Sequence, residues 1–195
     1  MKILLIDCLN FSYLGYRLPE CLKALGHDVT IICKKDSLLS KSVVADFVHD
    51  DVFDEQGGLP LTHFFRVFES TNPDYIQPID DEARRLLYRI IQHHSSERLQ
   101  ALLDMSLPPL SAFNIVDSRF KTALLCQEFD INTPAFGGDL TKLGIESFSQ
   151  LNPGAFVVKR DQTQAGQGVK LFQDFNDWQS KNKSQMNILV LCKNI

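Results

Sequence analysis

The chain has 195 residues, of which 44% are hydrophobic and 23% are charged, a composition typical of a folded protein with one or two domains. Its net charge of −4 and pI near 5.7 argue against general binding to nucleic acids or anionic membranes, because both need clustered Lys and Arg. We therefore expect neither a nucleic acid nor a membrane among its partners.

Cysteine usage and the N-terminus predict a cytoplasmic protein. The number of cysteines is odd and none forms a CxxC pair, so neither a disulfide framework nor a zinc ribbon is predicted. The N-terminal apolar run is interrupted by Asp7 and is too short for a signal sequence or a membrane span. His49 and His63 lack ligand-like partners at helical spacing, so we expect packing or surface positions for them and no metal site.

The first part of the chain predicts an open α/β sheet. Ile3 to Ile6 is a continuous apolar run, typical of a strand buried on both faces of a parallel sheet. Apolar residues then recur at helical spacing from Leu14 to Leu25, before the helix-ending Gly26, and Val29 to Cys33 is a second strand. The loop after the first strand contains only Gly15, so a Rossmann dinucleotide site, which needs G-x-G-x-x-G there, is not expected.

A third strand and an acidic helix start are predicted further on. The segment from Asp36 to Leu61 has no clear period, and its acidic residues favour a solvated edge over a metal site. Tyr75-Ile76 predicts a short strand, and Asp80-Asp81-Glu82 begins an amphipathic helix. Two interpretations of these acids stay open: they cap the helix, or Asp80 or Glu82 contacts a substrate at the carboxyl end of the strand.

A composition shift around Ser106 to Asn114 predicts a domain boundary, with one domain over residues 1–108 and another over 109–195. Asp117 or Ser118 is expected to cap a helix that reaches Phe129. The remaining predictions are a helix from Thr141 to Leu151, a short helix from Asp174 to Trp178 and a strand from Ile188 to Leu191.

The stretch from Phe156 to Phe172 has the pattern of a β-hairpin with a lengthened turn. Two apolar runs flank a polar loop with Gly166 and Gly168, and glycine lets the main chain approach a ligand closely. The loop from Gln164 to Gly168 can thus aim several N–H groups at one anion, to which Lys159 adds a positive charge. A phosphate chain is the predicted anion, and an ordinary surface hairpin is the alternative.

The order of these segments resembles the ATP-grasp superfamily of carboxylate–amine or carboxylate–thiol ligases. In that family a small α/β domain precedes a helix that begins Asp-Lys or Asp-Arg and ends Gly-Ile-Pro-Thr-Pro, followed by a strand Val-Val-Lys-Pro and a flexible glycine-rich loop. The corresponding residues here are Asp117-Ser118-Arg119-Phe120-Lys121, Asp130-Ile131-Asn132-Thr133-Pro134-Ala135, Val157-Val158-Lys159-Arg160 and Gln164-Ala165-Gly166-Gln167-Gly168-Val169.

The resemblance implies a fold and a set of site residues. The fold is an α/β protein with a Rossmann-like N-terminal open parallel sheet, followed by a small α+β first subdomain of an ATP-grasp domain. For Arg119, the alternative to a phosphate contact is a surface position in which its charge only balances the charge of Asp117. The implied sets are Arg119, Lys159, Gln164, Ala165, Gly166, Gln167 and Gly168 for the ATP phosphates, Leu191, Cys192 and Lys193 for an adenine hinge, and Asp7, Asn10, Asp80 and Glu82 for the substrate.

The resemblance also implies a reaction and its partners. The family transfers the γ-phosphate of ATP to a carboxylate, and an amine or thiol attacks the resulting acyl phosphate, with Mg²⁺ bridging phosphate oxygens. The family's metal ligands follow the strand that begins here at Ile188, whereas this sequence stops at Ile195. We therefore expect this chain to be the truncated ATP-binding portion of a ligase and to be inactive alone. It would then be a fragment, one half of a split enzyme or a decayed copy. Expected partners are ATP and a small carboxylate, with Mg²⁺ in a complete enzyme, and either a complementing C-terminal half or a second copy pairing through an exposed edge of the last strand.

Two alternative functions stay open. The sequence from Lys23 to Ile32 also resembles the acceptor domain of two-domain glycosyltransferases, which carry their nucleotide sugar in a second doubly wound domain. A non-catalytic α/β interaction module that binds no nucleotide is the other alternative.

Overall fold

A computed structural model describes residues 1–9, 15–94, 96–138, 141–161, 168–181 and 189–193, with the backbone alone at 160 and 189–193. Backbone contacts divide the chain into two compact units, Met1–Leu110 and Ser111–Ile195. None of the helices in the described ranges is long and apolar enough to cross a bilayer.

The first unit contains a parallel four-stranded sheet. Its strands are β1 (Lys2–Asp7), β2 (Asp28–Cys33), β3 (Phe47–His49) and β4 (Tyr75–Pro78), in the order β3-β2-β1-β4. In the register Asp7 lies opposite Cys33, and Ile6 lies opposite Pro78. All strands therefore end at the same edge, where open α/β sheets bind ligands.

Burial follows the predicted pattern in β1 and β2. The four residues from Ile3 to Ile6 are each at most 3% exposed, so β1 is covered on both faces. One core cluster joins Ile3 and Leu5 to Val29 and Ile31 of the next strand. The interpretation of the continuous apolar runs as strands of a parallel sheet is confirmed.

Helices flank this sheet, and their ends follow local signals. Asp80 and Ser96 each accept a hydrogen bond from a backbone N–H three residues on, which caps the helices that follow them. Asn72, with φ of 47°, ends another helix in the left-handed conformation. The helices are α1 (Leu18–Ala24), α2 (Leu61–Thr71), α3 (Asp81–His93) and α4 (Glu97–Ser106), with a short 3₁₀ helix at Leu39–Lys41. The next helix, α5 (Leu110–Val116), lies in the second unit apart from its first residue.

Several elements of this unit were not predicted. The unassigned segment from Asp36 to Leu61 contains the 3₁₀ helix and β3, which are three residues each and so too short to show a period. Helix α2 carries aromatic and β-branched residues with weak helix propensity. Its Phe64 and Val67 are buried, and this packing decides the conformation instead.

The second unit contains an antiparallel sheet. Besides α5, three helices of the described residues belong to it, namely α6 (Arg119–Glu128), α7 (Lys142–Leu151) and α8 (Phe175–Lys181). Its core includes Phe148 and Trp178 from the helices packed against Phe156, Val158 and Phe172 from the sheet. The strands are β5 (Phe136–Gly137), β6 (Phe156–Arg160), β7 (Val169–Phe172) and β8 (Leu189–Lys193), in the order β5-β8-β6-β7. An α/β unit followed by a small α+β unit is the predicted fold class, which is confirmed.

The last described strand differs from its prediction. We expected it to expose an unpaired edge, but β8 lies between β5 and β6, with Cys192 opposite both Phe136 and Val157. The prediction is therefore wrong at Leu191 and Cys192, because the two-residue strand β5 was not recognised in the sequence. The outer strands of the described sheet are β5 and β7.

Replacing Asp80 by Ala is expected to lower the free energy of unfolding by about 2–4 kcal/mol, since the change removes a helix cap and leaves two loop N–H groups unpaired. Asp80 Oδ1 accepts from Ala83 N at 2.8 Å, and Oδ2 accepts from Cys8 N at 2.6 Å and Leu9 N at 3.2 Å. Urea denaturation measures the loss. Asp81→Ala is the matched control, because Asp81 makes an ion pair with Arg84 while 41% of its side chain stays exposed; an equal loss in both variants would contradict this role of Asp80.

Candidate phosphate-binding site

The predicted hairpin is present, and it places Lys159 on the face of the sheet opposite the one that packs against helices α7 and α8. In β6, Phe156 and Val158 are buried in the core, so the alternating Val157 and Lys159 lie on the opposite face. Lys159 is half-buried and pairs with Val169 of β7. The two strands of the hairpin thus hold the lysine at the start of the polar loop.

The loop itself is described only at its ends. Gly168 has φ of +70°, a conformation that glycine adopts without strain, and it leads directly into β7. The predicted phosphate-contacting residues Gln164, Ala165, Gly166 and Gln167 lie outside the described residues.

The start of helix α6 is fixed by Ser118. Its hydroxyl accepts from Lys121 N at 3.1 Å, and the residue is only 3% exposed. Of the two predicted caps, Asp117 and Ser118, the structure therefore shows Ser118. Arg119 follows as the first helical residue and is exposed, where the positive end of the helix dipole favours an anion.

Asp161 connects the hairpin to this helix start. Ser118 Oγ donates to Asp161 Oδ2 at 2.5 Å, and Arg119 N donates to Asp161 Oδ1 at 2.8 Å. Asp161 follows Lys159 by two residues, so the same strand end carries both side chains. The carboxylate thereby brings the backbone of Arg119 next to the end of β6.

A close aromatic contact holds the other side of α6. The rings of Phe120 and Phe136 lie 6.0 Å apart at 77°, an edge-to-face arrangement. A Cβ on Gly138 would stand 2.4 Å from Cζ of Phe120, so only glycine fits there. Helix α6 is thus fixed to β5 by packing and to β6 by Asp161.

No motif or spacing in the sequence pointed directly to Asp161. Its acceptance of two hydrogen bonds from residues more than 40 positions earlier depends on the tertiary fold. The sequence shows only that Asp161 begins a polar loop directly after a predicted strand.

The predicted adenine-hinge residues lie in strand β8. The backbone positions of Leu191, Cys192 and Lys193 pair with successive residues of β6, from Val158 to Phe156. Cys192 shares its register position with Val157, which is on the same face as Lys159. The hinge role of these residues stays a prediction.

Three of the four predicted substrate residues of the first unit lie in the described part of the chain. Asp7 is buried at the end of β1, Glu82 makes an ion pair with Arg85 at 2.5 Å, and Asn10 lies outside the described residues. Both oxygens of Asp80 accept backbone hydrogen bonds, so capping is the interpretation that the structure shows for it. Asp80 therefore serves as a structural residue that ties the loop after β1 to α3.

Two thiols at this end of the sheet are held protonated. Burial, with added repulsion from Asp80 and Asp7, raises the pKa of Cys8 far above its usual value. Burial likewise raises the pKa of Cys33 to about 11, against a hydrogen bond from Ser37 that lowers it. Neither thiol is a nucleophile near neutral pH.

The histidines and acids offer no metal site in the described ranges. No group of three His, Cys, Asp or Glu side chains is arranged to bind a metal ion there. His63 Nδ1 lies 2.8 Å from the carbonyl oxygen of Val52, and burial lowers the pKa of His49. His63 thus contacts the backbone, and His49 is partly buried.

The contact between Ser118 and Asp161 is expected to stabilise the second unit measurably. In a double-mutant cycle of Ser118→Ala and Asp161→Ala, we expect a coupling free energy of about 1–2 kcal/mol, because a hydrogen bond to a charged acceptor is lost. Thermal or urea unfolding of the four proteins provides the values. The cycle of Asp161→Ala with Ser149→Ala, a helix α7 residue, should be additive; additivity in both cycles would show that the contact contributes nothing.

The chain was compared with known proteins. Neither a protein-family model nor a curated protein matches it at a significant level. The fold, in contrast, matches solved structures along its whole length. N5-carboxyaminoimidazole synthetase from Staphylococcus aureus, complexed with ADP, matches with a TM-score of 0.65 at 16% identity, over 100% of this chain and 47% of that one.

Two further enzymes give the same result. L-amino acid ligase from Bacillus licheniformis matches with a TM-score of 0.63 at 16% identity, over 100% of this chain and 44% of that one. The biotin carboxylase domain of Hydrogenobacter thermophilus 2-oxoglutarate carboxylase, whose structure contains MgADP, matches with a TM-score of 0.58 at 12% identity, over 98% and 44%.

All three are ATP-grasp enzymes, and the chain spans less than half of the length of each. At these identities the likeness concerns the fold. This chain therefore has the fold of ATP-grasp enzymes, over less than half of the length of these three, which confirms at the level of the fold the resemblance carried by its motifs.

Proposed function

We propose that the second unit binds the phosphates of ATP, as the ATP-binding portion of an ATP-dependent carboxylate–amine ligase. The observation that carries the proposal is the junction made by Asp161. Lys159 and Asp161 stand two residues apart at the end of β6, and Asp161 accepts from the backbone N–H of Arg119. Two cationic residues therefore adjoin one loop.

The charges of this arrangement suit a polyphosphate. Lys159 supplies a compact ammonium, and Arg119 supplies a planar guanidinium that donates to two phosphate oxygens at once. The loop residues Gln164, Ala165, Gly166, Gln167 and Gly168 are proposed to add backbone N–H groups. The positive φ of Gly168 supports a tight return of the chain into β7.

The proposed reaction is acyl activation. A carboxylate oxygen attacks the γ-phosphorus of ATP, the bond to the bridging oxygen breaks, and an acyl phosphate and ADP result. An amine or thiol then attacks the acyl carbon and releases phosphate. The role of Lys159 and Arg119 is to hold and neutralise the phosphate chain, the main requirement of phosphoryl transfer.

Catalysis needs more than the described residues provide. The described residues contain no group of three His, Cys, Asp or Glu side chains that could hold a metal ion. We propose that magnesium ligands and the rest of the adenine site belong to the part of the ATP-grasp fold without a counterpart in this sequence. The chain alone is then expected to bind nucleotide weakly and to be inactive, and a complementing segment or a second copy is the proposed partner.

Of the two alternative functions, the fold argues against the first and leaves the second open. The glycosyltransferase alternative needs a second doubly wound parallel domain, whereas the second unit has an antiparallel sheet. The non-catalytic interaction module stays distinguishable by nucleotide binding. We place the protein in the cytoplasm on the basis of its free thiols, four of which lie in the described residues.

Lys159→Ala is expected to weaken ATP binding about tenfold or more, because a charge-assisted hydrogen bond contributes roughly 1.5–3 kcal/mol. Isothermal titration calorimetry with ATP and Mg²⁺ measures the affinity, and Arg119→Ala should show a loss of the same order. Lys170→Ala is the matched control, since Lys170 is exposed on the same hairpin but pairs with Val158, on the other face.

The control should leave the affinity within about twofold, well below the effect of one charge-assisted hydrogen bond. Equal affinities in the wild type and in the Lys159 and Arg119 variants would refute the assignment of the phosphate site. Absence of any binding by the folded wild type would favour the non-catalytic interaction module.

A further inference from the structure

A small cavity opens at the carboxyl ends of the strands in the first unit. It has a volume of about 240 Å³ and is lined by Cys8 after β1, Lys34 after β2 and Leu86 and Arg89 of α3, with Phe53 and Gly57 from the loop between β3 and α2. Small-molecule pockets typically range from about 300 to 1,000 Å³, so this volume suits a compact compound and is too small for a nucleotide.

The loop that forms one wall is held by hydrogen bonds within itself. Asp54 carboxylate oxygen Oδ1 accepts from Gln56 N at 3.0 Å and from Gly58 N at 2.7 Å, and Gly57 N donates to the Asp54 carbonyl at 2.9 Å. Gly57 has φ of +78°, which favours glycine. The wall therefore exists before any ligand binds.

Lys34 is positioned by this wall. Its Nζ lies 5.8 Å from the ring centroid of Phe53, a cation–π distance. A Cβ built on Gly57 would stand 3.1 Å from the same Nζ, so a larger residue at position 57 would push against the ammonium group. The ammonium is thus held at the cavity, where its charge faces whatever occupies it.

The two cations of the cavity have no ion-pair partner among the described side chains, whereas the neighbouring acids do have partners. No carboxylate of the described residues lies within ion-pair distance of Lys34 or Arg89. Glu82, which also lines the cavity, is paired with Arg85, and Asp80 accepts backbone hydrogen bonds. The cavity wall therefore carries two cationic side chains without a carboxylate partner among the described residues, and one carboxylate, that of Glu82, which is already paired with Arg85.

We propose that this cavity binds a small carboxylate compound, with Lys34 and Arg89 as the residues that recognise the carboxylate. Open parallel sheets bind ligands at this edge, and a guanidinium with an ammonium matches a carboxylate group. Leu86 and the ring of Phe53 contribute apolar wall for a short hydrocarbon part. The role of this compound as the acyl substrate rests on the proposed function; its binding does not.

The test is a titration of the ¹⁵N-labelled full chain followed by two-dimensional NMR. The probes are acetate, malonate and L-alanine, with acetamide and malonamide as neutral isosteres and inorganic phosphate as the competing anion. At least one carboxylate should shift the amide signals of Cys8, Gly57 and Gly58 in a saturable way, and the neutral amides should not.

Matched variants assign the charges. Lys34→Met and Arg89→Met keep an apolar stem and should each weaken binding about tenfold or more. Lys35→Met is the control, because Lys35 is exposed and absent from the cavity wall, and its affinity should be unchanged. The dispersion of the spectra shows whether each variant is folded.

Three outcomes would overturn the proposal: no saturable shift with any of the carboxylates, equal affinity in all variants, or saturation by phosphate alone. Titration with ATP separates this proposal from the proposed function. Carboxylate binding without ATP binding leaves the cavity assignment standing and removes the ligase function, whereas ATP binding without carboxylate binding does the reverse.

Discussion

The position of helix α6 depends on one carboxylate. No residue of α6 is fully buried, so apolar burial alone does not fix where the helix begins. Asp161 does so by accepting from both Ser118 Oγ and Arg119 N, while Phe120 packs edge-to-face on Phe136. Hydrogen bonds to an ionised acceptor are shorter and about twice as strong as neutral ones. The juxtaposition of Arg119 with the end of β6, on which the proposed phosphate site rests, follows from this contact.

The first unit uses the same device. Asp80 lies beyond the end of β4 and accepts backbone N–H groups from the loop after β1 and from the first turn of α3. In both units an acid beside a strand end joins a helix start to a neighbouring segment, where the helix dipole also favours its charge. Acids at these places therefore connect helix starts to neighbouring segments, and our proposals assign the recognition of anionic ligands to Lys159 in the second unit and Lys34 in the first.

Much of the fold was predictable because the decisive signals are local. The apolar run of β1, the helix start at Asp80 and the two strands around Gly168 are each visible within a few residues. Strand β3 is too short for a period, and α2 becomes a helix through burial of Phe64 and its neighbours. Asp161 was missed for a different reason: its partners are more than 40 positions away, and only tertiary structure brings them together.

Hydrogen–deuterium exchange of the full chain with and without ADP tests the central claim most directly, that nucleotide phosphates bind where α6 begins beside the end of β6. The account predicts slower exchange on ADP binding in peptides covering residues 117–122 and 156–172. Peptides covering β4 and the first turns of α3 should exchange at the same rate in both samples. Unchanged exchange at the α6 start and the β6–β7 hairpin at saturating ADP, or protection confined to the first unit, would contradict the account.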